Sequence, residues 1–330
     1  MNKRHLLFTI AIVLVAGSAL LWFMITSPYS EVLEEPVEIP RGTSLRGIAH
    51  ILSERDVVRN DLLFVAAAKL SGKDARLQSG LYRFPANAST LDILTFLAEG
   101  RHQALRDITI REGLTVERIA KHLDSTCGLS ADTVRRLARD PVFIASTGVD
   151  APSLEGYLLP ETYRVRFDIT ARDFLAMLVR NMKEVFTAAK RQRMKETGRS
   201  MHEILIMASL VEGETRLDRE RARVAGVYYN RLRRGMLLQA DPTIQYVIPD
   251  GPRRLLYRDL SINSPYNTYM HPGLPPGPVN NPGAASIHAA IYPEAHDFYY
   301  FVADGHGGHR FSRTIEEHNR AVAAYRRSRR

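Results

Sequence analysis

An almost unbroken apolar run covers residues 204–211, where the only polar side chain is a serine. A helix that is apolar on every side is a buried one, so this run predicts a core helix. Residues 218–234 form a mostly charged segment with apolar positions at helical spacing, which are Val224, Val227, Tyr228 and Leu232. This spacing predicts an amphipathic helix that ends at Gly235 and packs against the core helix. We expect the rest of the chain to be organised around residues 202–243.

The amino terminus carries a different apolar segment. Residues 6–26 hold no charged side chain, and about 21 residues are enough to span a bilayer. Two basic residues precede the segment and three glutamates follow it, so the positive-inside rule places the amino terminus in the cytoplasm and everything after about Pro28 outside. A cleaved signal peptide is the alternative, since small residues stand at 16–19. The apolar run continues through Ile25, which favours an uncleaved anchor.

The segment at 39–52 recurs at 110–123, shifted by 71 residues. A glycine, a hydroxyl residue, an aliphatic residue, an Ile-Ala pair and a leucine stand at matching positions in both copies. Each copy predicts a short strand, a glycine turn and a helix with a Ser or Thr cap. Residues 36–180 are therefore expected to hold two diverged α+β units, the first with a second helix at 60–69.

The carboxyl-terminal part alternates loops with regular elements. Residues 261–283 are rich in Pro, Gly, Asn and Tyr, and a loop of this length in a compact domain is often functional. Asn281 followed by proline predicts the N-cap and first turn of a helix that continues to Ile291. A hairpin with a glycine-rich turn is predicted at 298–312, and a final helix at 314–326.

Composition narrows the class of protein. The net charge of +9 is spread over arginine-rich helices and a basic tail at 326–330, so no nucleic-acid partner is expected. Cys127 is the single cysteine, which excludes an intramolecular disulfide, and no Cys/His spacing is typical of zinc. His306 and His309 stand in a glycine-rich turn that favours a hairpin over a metal site. We expect neither a metal nor a cofactor.

Two acidic residues, Glu212 and Glu214, end the apolar run. Burial raises the pKa of a carboxyl group, and a glutamic acid that stays protonated near neutral pH can protonate a leaving group, as a glycosidase acid does. In the structural alternative, both glutamates end the core helix and pair with nearby arginines, which are Arg216, Arg219, Arg221 and Arg223. Helical geometry places each glutamate between two apolar positions and does not choose between them.

Four segments follow one another in a characteristic order and spacing: ASLVEGET at 208–215, ERARVAGVYYNRLRRGMLLQADPT at 220–243, NSPYNTYMHPGLPPGPVNNPG at 263–283 and FYYFVADGHGGHRF at 298–311. Together they resemble the endolytic murein transglycosylase family (MltG, YceG-like), and the resemblance covers essentially the whole chain. In that family the catalytic acid is the glutamate followed by threonine, which implies Glu214 with Thr215 beside it. The Glu-Thr pair is similar to the Glu-Ser pair of lysozyme-like lytic transglycosylases.

The resemblance implies an enzyme anchored in the bacterial inner membrane, with its catalytic domain in the periplasm. It would cleave the β-1,4 bond from N-acetylmuramic acid to N-acetylglucosamine within nascent peptidoglycan glycan strands. The products would carry 1,6-anhydro ends, formed without water, and cleavage would end strand elongation. Peptidoglycan synthases, the penicillin-binding proteins, are the implied partners.

The loops after the catalytic helix supply the expected substrate contacts. Their polar and aromatic groups suit sugar hydroxyls and acetamides, and the residues are Thr215, Asn230, Gln239, Asp241, Tyr266 and Asn267. We expect them in a cleft between the Glu214 helix and the loops at 238–283. Asp241 precedes a proline, so a turn or cap role is an alternative for it. The segment 155–163 also matches the family, in which this segment leads toward the active-site cleft.

The predicted fold class is α+β with four parts. A cytoplasmic end and transmembrane anchor cover 1–27, a LysM-like module covers 28–105, a second repeat-like module with connecting helices covers 106–200, and a catalytic domain with a lysozyme-like helix covers 201–330. LysM modules bind polymers that contain N-acetylglucosamine, which implies a grip on the cell wall. The alternative is a spacer that holds the catalytic domain away from the membrane.

Two other functions stay open at this point. A muramidase-type hydrolase would use water, leave a reducing end and require a second carboxylate, for which Asp241 or Glu220 would serve. A non-catalytic peptidoglycan-binding scaffold would use the duplicated modules, and its glycan affinity would not depend on Glu214.

Overall fold

The computed structural model describes residues 3–30, 36–101, 105–249 and 251–328, with side chains from residue 8 onward. These residues form a mixed α+β fold with fourteen α-helices and three two-stranded sheets. They divide into two compact units. The first joins Met1–Asp107 with Arg164–Ile169, and the second joins Ile108–Tyr163 with Thr170–Arg330.

The first unit begins with a long helix and continues as a small α+β body. Its elements are α1 (Lys3–Thr26), β1 (Val37–Ile39), α2 (Leu45–Glu54), α3 (Asp61–Leu70), β2 (Gly80–Tyr82) and α4 (Thr90–Glu99). Strands β1 and β2 pair antiparallel with Val37 opposite Tyr82, and both side chains are buried. The helices complete a core that contains Ile48, Leu52, Phe64, Leu94 and Leu97.

The carboxyl end of α1 belongs to this core. Residues Phe8–Thr26 have a mean hydropathy of 2.4 and form a helix that is long and apolar enough to cross a membrane. Ile25 is 5% exposed, and Leu21 and Met24 pack against the same core. Most of the large apolar side chains nearer the start of the helix are exposed. One end of α1 is therefore part of the folded unit, while the rest offers an apolar surface.

The next elements begin with a strand and a capped helix, as β1 and α2 do, but include one more helix before the second strand. They are β3 (Leu105–Thr109), α5 (Val116–Cys127), α6 (Ala131–Leu137), α7 (Pro141–Ser146), β4 (Thr162–Arg166), α8 (Ala171–Val185) and α9 (Ala188–Thr197). Strands β3 and β4 form the second sheet, and the division between the units crosses both strands. Ser44 accepts a hydrogen bond from Gly47 N–H at 3.2 Å, and Thr115 accepts one from Arg118 N–H at 3.3 Å. Both predicted helix caps are confirmed.

The remaining elements surround one buried helix. They are α10 (Met201–Glu214), α11 (Asp218–Arg233), α12 (Asp241–Val247), a 3₁₀-helix (Tyr257–Ser261), α13 (Ala284–Ile291), β5 (Tyr300–Ala303), β6 (His309–Ser312) and α14 (Ile315–Ser328). A capping box between Ser200 and Glu203 starts α10. All side chains from 204 to 211 are buried, and α10 packs against α11, α12 and α13. The core helix, its amphipathic partner and the terminal hairpin are confirmed.

One predicted helix start and one predicted loop were wrong. Helix α13 has Gly283 as its N-cap, not Asn281. The Asn281 side chain instead accepts from Leu158 N–H and donates to the Leu114 carbonyl, both at 2.9 Å, because tertiary contacts take the groups that a cap would use. The segment at 238–243 was predicted as a loop, but its second half opens α12 with Pro242 in the first turn, a position that proline favours.

The long loop predicted at 261–283 is confirmed, since no helix or strand lies between 262 and 283, all of which the structure describes. Asn267 organises its first part. This residue is fully buried, its amide donates to the carbonyls of Leu260 and Ile262 at 3.0 and 2.8 Å, and its carbonyl accepts from Tyr269 N–H at 2.9 Å. One amide side chain thus makes hydrogen bonds to loop backbone groups that, in a helix or strand, would pair with other backbone groups.

We predict that Val211→Ala lowers the free energy of unfolding of the second unit by about 2 kcal/mol, because a fully buried site in α10 loses two methyl groups. Val142→Ala on α7 is the matched control. Val142 is 79% exposed, so its change should stay below about 0.5 kcal/mol. Urea unfolding of the full chain in detergent, followed by circular dichroism, measures both. Equal effects of the two substitutions would contradict the placement of α10 in the core.

Candidate active site

The carboxyl end of α10 opens onto a cavity of about 950 Å³. Glu214 and Thr215 line it together with Glu155, Tyr246 and Asn280, which come from three other segments of the second unit. This volume lies at the upper end of the range for small-molecule sites, roughly 300–1,000 Å³. Because its walls are far apart in the sequence, the cavity exists only in the folded unit.

Glu214 is partly exposed in this cavity and has one short hydrogen bond. The Tyr228 hydroxyl donates to Glu214 Oε1 at 2.6 Å, and the buried Tyr228 ring packs edge-on against Phe301. Burial raises the pKa of Glu214 to about 7, and the charge of Asp241 adds to the rise. The Tyr228 hydrogen bond and the charge of Arg231 oppose it. Near neutral pH, this carboxyl group is therefore divided between its protonated and ionised forms.

Glu212 has different surroundings. Its carboxylate pairs with Arg221 at 3.0 Å and accepts the backbone N–H of Gly283 at 3.0 Å. The Glu212 and Arg221 side chains are each only 6% exposed. Arg221 also contacts Asp218 Oδ1 at 2.9 Å. Glu212 thus forms the ion pair with arginine that the structural alternative predicted for both glutamates. The hydrogen-bond partner of Glu214 is a tyrosine.

Gly213 lies between the two glutamates and allows α12 to approach α10. A Cβ atom at this position would lie 2.5 Å from Pro242 Cγ, which is closer than real Cβ contacts. The close approach brings Asp241, the first residue of α12, near enough for its charge to raise the pKa of Glu214. The electrostatics of the acid therefore depend on a glycine next to it.

Glu155 is a second buried carboxyl group in the cavity wall, and the sequence did not single it out. Its oxygens accept the backbone N–H of Val116 at 3.1 Å and the Asn281 amide at 2.9 Å. Burial raises the pKa of Glu155 to about 8, against these hydrogen bonds and the charge of Arg139. The segment 155–163 carries a family-like motif, but nothing in its pattern indicates that this glutamate turns inward.

Aromatic and amide groups form another part of the wall. Tyr246 on α12 lines the cavity, and its ring centre lies 5.0 Å from that of Tyr266. Asn280 donates from Nδ2 to the Ser209 carbonyl at 2.8 Å. Its buried Oδ1 has no hydrogen-bond partner among the residues that the structure describes. An acceptor left free in this way suits an N–H group of a ligand.

Besides the acid, three of the predicted site residues lie at or beside the cavity. Thr215 lines it, and its hydroxyl accepts a hydrogen bond from Leu217 N–H at 3.1 Å. Tyr266 packs against the ring of the lining residue Tyr246. Asp241 Oδ1 accepts from the Tyr269 hydroxyl at 2.6 Å, which holds the carboxylate in place at the start of α12.

The other three predicted residues have structural surroundings. Asn230 is buried and donates to the carbonyls of His296 and Phe298, both at 2.8 Å. Asn267 is fully buried and holds the loop through hydrogen bonds to the carbonyls of Leu260 and Ile262. Gln239 is exposed and has a left-handed backbone with φ of 48°. None of the three belongs to the cavity lining, so their substrate contacts stay predictions.

Glu220 forms a separate, mostly buried pair with His309 of the glycine-rich hairpin. Glu220 Oε2 lies 2.7 Å from His309 Nδ1, and Glu220 Oε1 accepts His309 N–H at 3.0 Å. The pair ties β6 to α11, so Glu220 is engaged in the fold and does not line the cavity.

Across the described ranges, no three His, Cys, Asp or Glu side chains cluster as metal ligands.

The match of the whole chain to known proteins agrees with these motifs. A model of the YceG-like family matches residues 37–324. The chain belongs to this family. The endolytic murein transglycosylase of Bacillus subtilis (strain 168) is 33% identical over 322 residues, which cover 90% of this chain and 89% of that protein. The protein of the same name from Streptococcus pneumoniae (serotype 2, strain D39) is 31% identical and matches 88% of this chain but 58% of its own length.

A solved structure also resembles this fold. The crystal structure of a YceG-like protein, lmo1499, from Listeria monocytogenes matches with a TM-score of 0.60 and 34% sequence identity. The match covers 86% of this chain and 97% of that one. The resemblance drawn from the four motifs is therefore confirmed at the level of the family.

We predict that Glu214→Gln stabilises the fold above pH 7. The pKa of Glu214 is about 7 in the folded state and near 4.5 in the unfolded chain, so the unfolded state loses its proton first and stability falls as pH rises between these values. The variant avoids this loss. Its advantage in free energy of unfolding should grow from near zero at about pH 4 to about 3 kcal/mol at about pH 8. Urea unfolding at the two pH values measures it.

Glu212→Gln is the matched control, because the same isostere removes a charge from the Arg221 ion pair two residues away. It should lower the free energy of unfolding by about 2 kcal/mol at pH 8, since a buried arginine keeps Asp218 but loses its buried partner. If both glutamine variants were destabilised at pH 8, the raised pKa of Glu214 would be wrong.

Proposed function

We propose that this chain is a membrane-anchored peptidoglycan lytic transglycosylase, which cleaves the β-1,4 bond between N-acetylmuramic acid and N-acetylglucosamine inside nascent glycan chains. The observation that carries the proposal is Glu214, an acid with a pKa of about 7, hydrogen-bonded to Tyr228 in the wall of a large cavity. Relatives named endolytic murein transglycosylase, aligned over 90% and 88% of the chain, support the substrate class. Cleavage inside nascent chains would end their elongation.

Glu214 acts first as a general acid. Its protonated form gives the proton to the glycosidic oxygen as the bond from that oxygen to C1 of the muramoyl residue breaks. The N-acetylglucosamine part leaves with a new hydroxyl group. The carboxylate then takes the proton of the muramoyl C6 hydroxyl while the C6 oxygen bonds to C1. Protons balance without water, and the product carries a 1,6-anhydro end.

The Tyr228 hydroxyl suits both halves of this cycle. Its O–H donates to the carboxyl group and stabilises the ionised form that remains after the first transfer. Burial raises the pKa of Tyr228 well above its ordinary value, so the tyrosine stays a donor throughout. The same bond orients the carboxyl group, because Tyr228 is held in the core between α10 and Phe301.

The cavity wall offers groups for the glycan on either side of the acid. We assign sugar contacts to the Thr215 hydroxyl and to the paired rings of Tyr246 and Tyr266. Asn280 Oδ1 would accept an acetamide N–H of the substrate. Asp241 acts through its charge on Glu214. Asn230, Gln239 and Asn267 stay proposed substrate contacts, and the amides of Asn230 and Asn267 also hold loops in place.

The alternative is a muramidase, which uses water. Asp241 supports this alternative as the candidate second carboxylate. The charge of Asp241 acts on Glu214, as a second carboxylate beside the acid would. However, the Asp241 carboxylate is held by the Tyr269 hydroxyl, and Glu220, the other candidate, is bound to His309. These contacts favour the mechanism with one carboxyl group.

We further propose that α1 stays attached as a single-pass anchor in the bacterial inner membrane, with its amino terminus in the cytoplasm and the rest of the chain in the periplasm. The packing of Ile25, Leu21 and Met24 in the core of the first unit supports this, because cleavage at the small residues 16–19 would leave those side chains on a short free end. Penicillin-binding proteins, which polymerise the nascent chains, are the proposed neighbours at the membrane.

The domain proposal keeps the sequence boundaries. We assign 28–105 and 106–200 to two related modules, LysM-like in the first case, and 201–330 to the catalytic domain with a lysozyme-like helix. The shared order of strand, capped helix, further helix, strand and helix supports the duplication. In this assignment the modules bind glycan.

We predict that Glu214→Gln loses activity by about 10²- to 10⁴-fold while keeping its fold, because the proton donor is removed. Glu196→Gln on α9 is the matched control, since Glu196 is an exposed partner of Arg193 and should leave activity unchanged. The measurement is mass spectrometry of uncrosslinked nascent peptidoglycan after incubation with each full-length protein in detergent. Anhydro ends, lighter by one water than reducing ends, should appear with wild type and the control alone.

Other outcomes of that assay identify the alternatives. Reducing ends from the wild-type protein would make the enzyme a muramidase. Glycan binding without cleavage by folded wild-type protein would leave a wall-binding scaffold.

We predict that kcat/KM of the wild-type protein falls as pH rises above about 7, because the acid must be protonated. Tyr228→Phe removes a hydrogen bond that favours the carboxylate, so the pKa of Glu214 rises and the alkaline limb moves up by about one pH unit. Tyr229→Phe is the control on the same helix, since the Tyr229 hydroxyl donates to the Ala290 carbonyl instead. An alkaline limb that moves equally in both variants would refute the link between Tyr228 and the acid.

A further inference from the structure

Five cationic and five acidic side chains line the cavity wall, but not all of the cations are paired with an acid. The cationic side chains are Arg118, Lys121, Arg139, Arg216 and Arg221. Arg221 pairs with Glu212 at 3.0 Å, and Lys121 pairs with Glu117 at 3.2 Å. The side chains of the other three, all of them exposed arginines, have no ion pair, hydrogen bond or ring contact with any described residue.

These three arginines come from separate parts of the second unit. Arg118 lies in the first turn of α5, Arg139 follows α6, and Arg216 stands two residues after Glu214. Glu155 lines the same cavity, and the charge of Arg139 opposes the rise in its pKa. Burial nevertheless keeps the pKa of Glu155 at about 8, so it is mostly protonated at neutral pH and does not neutralise Arg139.

These three exposed arginines line one cavity and make no described side-chain contact that would stabilise the fold. They do favour an anion that enters the cavity, because a guanidinium fork matches a carboxylate in shape and charge. The field of several like charges also raises the local concentration of an anionic polymer. The acid itself does not require these cations, since the partner of Glu214 is the Tyr228 hydroxyl.

We propose that Arg118, Arg139 and Arg216 form a carboxylate-binding site for the acidic substituents of the glycan chain. The inference rests on the proposed function, which makes the substrate a polymer of muramoyl residues. Each muramoyl residue carries a lactyl group on O3, and its carboxyl group is either free or extended by a peptide that brings carboxylates of its own. The enzyme therefore selects chains by their negative charge, next to the bond that it cleaves.

Binding to an inactive background tests the site apart from catalysis. The full-length Glu214→Gln protein in detergent is titrated with uncrosslinked, peptide-bearing glycan chains, and with the same chains after every carboxylate has been converted to a methylamide. We expect the charged chains to bind about 30-fold more tightly, from three partly exposed charge pairs. The added triple substitution R118Q, R139Q and R216Q should bring this ratio close to one.

Arg180→Gln is the matched control, because Arg180 is an exposed arginine of α8 outside the cavity lining. It should leave the ratio unchanged. Because the readout is a ratio between two chains of equal length, a general loss of folded protein does not imitate the result. Added salt should reduce the ratio of the parent protein and leave that of the triple variant flat. A triple variant that keeps the parental ratio, or a parent without preference, would overturn the proposal.

Chains stripped of peptide by an amidase separate the two sources of carboxylate. If the arginine substitutions weaken binding to the stripped chains, the lactyl carboxylate that the amidase frees is a ligand. If they weaken only the peptide-bearing chains, the peptide carboxylates are. Cleavage by the wild-type protein is scored separately by anhydro ends, so a charge preference without cleavage would remove the proposed reaction and leave the carboxylate site standing.

Discussion

The burial of α10 on every side is the constraint on which the site depends. A helix enclosed by α11, α12 and α13 leaves any acid at its end short of water, and the fold treats its two glutamates differently. The ion pair with Arg221 offsets the desolvation of Glu212. Glu214 accepts a hydrogen bond from the neutral Tyr228 hydroxyl, which stabilises the carboxylate without supplying a full charge. A raised pKa follows from that difference, and with it the capacity to give and take one proton near pH 7.

The loops around the site are built from the same side chains that commonly bind sugars. Asn230, Asn267 and Asn281 each satisfy buried backbone groups, and so hold irregular segments that lack a ladder of their own. Asn280 differs because one of its two polar atoms is left without a partner in the described structure. Residue type alone does not separate these roles, since an amide that clamps a loop and an amide that binds a ligand have the same chemistry.

The electrostatic arrangement of the cavity suits an anionic polysaccharide. Its wall holds an acid that is partly neutral at pH 7 and three arginines without described partners. Cations placed directly on Glu214 would lower its pKa and weaken it as an acid. Because Glu214 has a neutral tyrosine as its hydrogen-bond partner, the same cavity can attract negative charge through its arginines and protonate a glycosidic oxygen.

Periodicity and local motifs were enough to predict the core helix, its amphipathic partner, both repeated helix caps, the terminal hairpin and the family, because each is encoded within a few residues. The choice between the two glutamates came from the family motif, since both stand among apolar positions. Only the tertiary structure brought Glu155 into the cavity, gave Asn281 to distant backbone groups in place of a helix cap, and left three arginines unpaired. Those outcomes depend on which segments meet in space, and no local pattern records that.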